Sequence, residues 1–165
     1  MRKHSYFFAL FLSACLLTGM FSATPALSAK KMPSFSLEDV LTGKPVASTS
    51  FAEKSLLVIF FATWCPPCVQ EIPNLIELQE EYGKKGFSVV GISVDQEKGV
   101  VRSLIEKKAI NYPVMMADES VTRDFGGVYG IPTSFLVNSS GTVVKKYTGY
   151  VAHSVLVRDI KQIIE

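Results

Sequence analysis

Phe60-Phe61-Ala62-Thr63-Trp64-Cys65-Pro66-Pro67-Cys68 is the stretch on which the fold turns. It joins the end of one element to the start of another. Upstream, Leu56-Leu57-Val58-Ile59-Phe60-Phe61 is an unbroken apolar run, the pattern of a central strand buried on both faces. Downstream, Ile72, Leu75, Ile76 and Tyr82 fall mostly on one face of a helix. Pro66 and Pro67 suit its first turn, where backbone N–H groups have no partner in any case. Pro73 predicts a kink in this helix, and Gly83 and Gly86 its end.

Two cysteines at a strand-to-helix junction carry a specific chemistry. Residues three apart on a helix lie about 5–6 Å from each other, the separation a disulfide requires. The helix N-terminus brings free N–H groups and partial positive charge, and both favour thiolate over thiol. Cys65 is therefore read as the attacking thiolate and Cys68, one turn in, as the more buried resolving thiol. Trp64 is expected to lie across the site and shield the sulfurs. A bridge this local closes too short a loop to hold a domain together, so its use is chemical. A closed zinc site needs four ligands, and beyond residue 29 the chain has no third cysteine and a single histidine, His153. A haem-attachment motif needs histidine where Val69 stands.

Outward from this stretch, strand and helix patterns alternate. Phe35–Leu37 and Lys44–Ser48 form a hairpin turned at Gly43, after a linker over Lys30–Ser34. Phe87–Val94 reads as a second buried strand. Lys98–Lys108 reads as an amphipathic helix with Val101, Leu104, Ile105 and Ala109 inward. A short strand follows over Tyr112–Met116, then one or two helical turns over Ser120–Phe125, broken at Gly126-Gly127. Thr133–Val137 and Thr142–Thr148 pair antiparallel across Asn138–Gly141, and Val155–Ile164 is the last helix. The order predicts an α/β domain whose mixed central sheet is flanked by helices, with no linker dividing it.

Residues 1–29 read as an export segment. Arg2, Lys3 and His4 precede an uncharged run from Tyr6 to Ala23, and Ala26-Leu27-Ser28 supplies small residues for cleavage. Three fates are open. The segment can be removed as a signal peptide, or residues 6–23, near the lower length for a bilayer span, can stay as a tether. Leu12-Ser13-Ala14-Cys15 also matches a lipobox, which would lipidate Cys15. The formal net charge of +2 belongs to this segment, because Arg2 and Lys3 are its only charges. The domain at 30–165 is balanced, which gives no basis for nucleic acid as a partner. Export places the dithiol where disulfides persist.

At this level the chain resembles the thioredoxin superfamily. Phe60–Cys68 looks like that family's active site and Gly130-Ile131-Pro132-Thr133 like the segment holding its cis-proline. The hairpin, Glu71-Ile72-Pro73 and the strand–helix segment over Phe87–Lys108 are similar to the TlpA/ResA-like group. The resemblance implies a thioredoxin-like fold and a thiol–disulfide oxidoreductase outside the cytoplasm. It implies Cys65 as nucleophile, Cys68 as resolving thiol, Pro132 as the cis-proline and the Ile131 backbone as the pairing edge for substrate. Trp64, Pro66 and Pro67 would support the site. It implies reduction of protein disulfides, including apocytochrome c cysteines, with a membrane electron donor of the DsbD or CcdA kind and no cofactor beyond the redox disulfide. Where thioredoxin has a buried acid before its active site, this chain has Ile59. Asp95 and Glu97, at the end of the next strand, are the candidates to move the proton of Cys68; as solvated loop charges they would do nothing. The same dithiol would also serve a disulfide-forming oxidase, a thiol peroxidase, or a metal-binding or redox-sensing module.

Overall fold

The computed structural model describes residues 30–164. Residues 1–29, read from sequence as an export segment with residues 6–23 as tether and Cys15 as lipidation site, lie outside the described residues, as does Glu165. Among those described, no helix is long and apolar enough to cross a membrane.

A five-stranded mixed sheet forms the centre. Its strands are β3 (Ser55–Phe61), β4 (Phe87–Ser93), β5 (Val114–Met116), β6 (Thr133–Val137) and β7 (Val143–Thr148), in the order β5-β4-β3-β6-β7. β3, β4 and β5 are parallel, and β6 and β7 are antiparallel to their neighbours. Every residue of β3 and β4 is buried, as the apolar runs require of strands covered on both faces. Helices α1 (Pro66–Tyr82), α2 (Lys98–Lys108) and α4 (His153–Ile164) complete this layer structure, with a short α3 at Glu119–Asp124. A separate hairpin of β1 (Ser36–Glu38) and β2 (Pro45–Ala47) joins the sheet through a bridge between Asp39 and Met115.

Period-two alternation divides β3 between two cores. Leu57, Ile59 and Phe61 pack with Ile72 and Leu75 of α1, Val101 and Ile105 of α2, and Leu156 and Ile160 of α4. Leu56, Val58 and Phe60 pack on the other side with Phe35, Leu37, Phe51, Phe125 and Phe135. Phe60, Phe125 and Phe135 meet edge-to-face, with centroids 5.0 to 6.0 Å apart.

Two expectations change. Ala109 is exposed and closes α2 in the left-handed region at φ +52°, and the buried residue is Ile110. The helix thus turns back one residue before the apolar pattern suggests. Lys30–Ser34 is not a free linker. Met32 N–H donates to the Gly141 carbonyl at 2.9 Å and Val143 N–H to that of Lys30 at 2.9 Å, adding the segment to the β6–β7 turn. α1 continues unbroken through Pro73.

Candidate active site

The parallel strands end on one side of the molecule, where α/β sheets present their loops for chemistry. There Cys65 is the N-cap of α1 and is extended, at φ −97° and ψ 105°. Cys68 sits one turn further, with Cα–Cα 5.3 Å, and the two sulfurs are joined in a disulfide. Both cysteines are buried, Cys65 at 4% and Cys68 at 1% exposure. An N-cap side chain faces the N–H groups of the second and third helical residues. The second is Pro67, so Cys68 alone of these two supplies an N–H to a Cys65 thiolate. Trp64, beside the buried cysteines, is itself 68% exposed.

The Gly130–Thr133 loop supplies one wall. The Ile131–Pro132 peptide is cis. The Ile131 carbonyl oxygen lies 3.8 Å from Cys65 Sγ. This loop is held at both ends, by Thr133 Oγ1 donating to the Gly130 carbonyl at 2.7 Å and Gly149 N–H donating to that of Pro132 at 2.8 Å.

Asp95 and Glu97 separate. Glu97 is exposed and is the N-cap residue of α2, with no side-chain capping bond. Asp95 is buried, and its oxygens are engaged. Oδ2 accepts from Thr63 N–H at 2.9 Å and from Ser93 Oγ at 2.7 Å, and Oδ1 from Thr63 Oγ1 at 2.7 Å. These bonds tie the end of β4 to the loop that delivers Cys65. Asp95 is thus placed to position that loop, and it is not a solvated charge.

The carboxylate that lies in the apolar layer with the cysteines is Glu71, three residues after Cys68 on the buried face of α1. It is fully buried. Oε1 accepts from Val151 N–H at 3.3 Å, and Oε2 has no partner. Burial pushes its pKa up from 4.5 to about 7, a rise that the Val151 bond partly offsets. Its charge, after burial, helps raise the Tyr112 hydroxyl. The sequence signal was an acid within the apolar face of α1, at the same helical spacing that relates Cys65 to Cys68. Among the described residues no group of three or more histidine, cysteine or acidic side chains is arranged to hold a metal.

The Redoxin family profile matches residues 27–164. ResA thiol-disulfide oxidoreductases are similar along most of the chain. That of Bacillus subtilis (strain 168) is 31% identical over 75% of this chain and 69% of its own. That of Geobacillus thermodenitrificans (strain NG80-2) is 32% identical over 81% and 74%. Among solved structures, a thioredoxin-family thiol:disulfide interchange protein from Chlorobium tepidum TLS superposes with a TM-score of 0.79 at 38% identity, covering 85% of this chain and 99% of that one. The chain belongs to the Redoxin family. Within the thioredoxin superfamily it is a TlpA/ResA-like member and a thiol–disulfide oxidoreductase. A second Chlorobium tepidum structure, described as a putative thiol:disulfide interchange protein DsbE, superposes at 0.77 with 26% identity, over 83% of this chain and 97% of that one.

Proposed function

We propose that the chain is an extracytoplasmic protein-disulfide reductase whose reacting pair is Cys65 and Cys68. The observation that carries this reading is the placement of Cys65 Sγ at the N-terminus of α1 and 3.8 Å from the Ile131 carbonyl. That placement sets the sulfur beside a backbone edge able to pair with an extended substrate segment. In the reduced state the Cys65 thiolate attacks one sulfur of a substrate disulfide. The substrate S–S bond breaks, a mixed disulfide forms, and one substrate thiolate leaves. The Cys68 thiolate then attacks Cys65 Sγ, the mixed disulfide breaks, and the second substrate thiolate departs. Two electrons pass to the substrate, and the Cys65–Cys68 disulfide is left.

The Cys68 proton must leave before the second attack. Glu71, one turn further along the same buried face and with its Oε2 unpartnered, is the candidate acceptor, and burial raises its pKa to about 7. Trp64, Pro66, Pro67 and Pro132 shape the entrance and limit the hydrogen bonds the sulfurs receive. The cysteines of apocytochrome c are the substrate class favoured by likeness to the ResA proteins. The spent disulfide would be re-reduced by a membrane donor of the DsbD or CcdA kind. Residues 1–29, read as an export segment that is cleaved, retained or lipidated at Cys15, support a place in the periplasm or on the outer face of the cytoplasmic membrane.

Paired cysteine variants test the assignment. Cys65→Ser should abolish reduction of insulin disulfides. Cys68→Ser should lose turnover yet accumulate a mixed disulfide through Cys65, and mass spectrometry of that adduct names the substrate. Adduct formation through Cys68 in the Cys65→Ser variant, with none in the other, would reverse the roles.

A further inference from the structure

The sheet has two chemically different ends. β3, β4 and β5 run from one end towards the redox disulfide at the other. β6 runs the opposite way, so its turn into β7 at Asn138–Gly141 returns to the first end. The described chain begins at that same end. Lys31 forms a bridge with Thr142, and Lys31 Nζ donates to the Ser140 carbonyl at 2.6 Å. Residues 1–29 therefore join the domain at the end opposite Cys65 and Cys68. Seven residues of β3 span that distance, roughly 20 Å at ~3.3 Å per residue.

Charge follows the same axis. Lys30, Lys31, Lys54, Lys84, Lys85 and Lys161 are exposed at the end where the export segment joins. Lys54 precedes β3, and Lys84 and Lys85 precede β4. Lys161 lies in the last turn of α4, which Ser55 Oγ secures through the Ile163 carbonyl at 3.1 Å. Acids sharing this end include Glu53, Glu80, Glu81 and Asp124, the last lining a pocket with Lys30 and Lys31. At the redox end, Glu38, Asp95, Asp118 and Glu119 line a groove of about 630 Å³ together with Lys98. Because the domain's formal charges balance, this separation is a dipole and not a net charge.

We propose that the lysine-bearing end lies against an anionic lipid surface held close by the Tyr6–Ala23 segment, so that Cys65 and Cys68 project away from the membrane. The inference rests on the tethered form of the reading above. An anionic surface attracts lysines within about one Debye length, ~8–10 Å, while the acidic end is repelled. The tether supplies proximity, and the dipole supplies orientation. Partners of the disulfide must then reach it on parts that stand off from the bilayer.

The test uses the full chain in phosphatidylcholine vesicles, with or without phosphatidylglycerol, carrying a dansyl group on the lipid heads. Trp64 is the only tryptophan and adjoins the disulfide, so its energy transfer to the heads reports the height of the redox centre. Transfer is expected to be weaker with phosphatidylglycerol than without it. High salt, or the combined K54E/K84E/K85E/K161E changes, should raise it to the phosphatidylcholine value. Should that set unfold the domain, the corresponding Lys→Gln set should act in the same direction. Equal transfer in both vesicles, stronger transfer with phosphatidylglycerol, an unaffected folded variant, or no association with the anionic vesicles would overturn the proposal. Insulin reduction by the same samples in detergent is a separate readout: its loss with the transfer difference intact strikes only the redox reading.

Discussion

Glu71 shows how one residue sets a pH response. Its carboxyl is held near 7 by burial, above the ordinary 4.5, so the folded state binds a proton that the unfolded chain releases. Its contribution to stability is therefore fully present below about pH 4.5 and is lost as pH rises through about 7. Glu71→Gln should flatten the melting temperature against pH across that window. It should also remove an inflection near neutrality from the rate of substrate reduction, and an unchanged profile would take Glu71 out of the proton path. Pro67 acts on the other sulfur. Pro67→Ala restores an N–H facing Cys65, and a hydrogen bond to an ion is worth ~1.5–3 kcal/mol before competition from water. The Cys65 pKa should fall by about one unit and the potential rise by up to about 30 mV, because the reduced form gains. Thiol alkylation against pH checks the first and redox titration the second. Cys65 and Cys68 were legible from spacing alone. Glu71 was visible only as part of a family pattern, because an acid within an apolar helical face carries no mark that says whether it is buried.

At the scale of elements, the Cys65 loop depends on β4 through Asp95. Removing that carboxylate strands the Thr63 N–H and the hydroxyls of Thr63 and Ser93, and each buried orphan costs about 1–3 kcal/mol. Asp95→Ala should lower the melting temperature and slow reduction, whereas Asp95→Asn keeps one acceptor oxygen and should recover part of both. Equal behaviour of the two variants would remove the positioning role. Here sequence reading singled out the residue but not its contacts with Thr63, since periodicity locates the end of β4 but not which loop its last side chain meets. Strands fared better: the apolar runs in β3 and β4 mark them, because a strand covered on both faces carries few polar positions, here only the buried Ser55, Ser88 and Ser93. The end of α2 was harder. Ala109 adopts a left-handed conformation that glycine usually takes, and nothing local announces it.

For the whole molecule, alternation of strands and helices sufficed to infer a mixed sheet with a parallel centre, since right-handed crossovers leave few other topologies. The docking of Lys30–Ser34 onto the β6–β7 turn was not legible, being a contact between segments more than a hundred residues apart. That contact fixes where residues 1–29 join the domain and so gives the charge separation its direction. The direction of electron flow is likewise a property of the whole, set by the balance of every interaction the dithiol and disulfide forms make. The measurement that tests it most directly is the equilibrium reduction potential of the Cys65–Cys68 couple, by redox-buffer titration with thiol trapping. A reductase requires a value near or below about −250 mV, close to the roughly −270 mV of thioredoxin. A value near about −120 mV, that of a strong disulfide-forming oxidant, would contradict the account and make the protein a donor of disulfides.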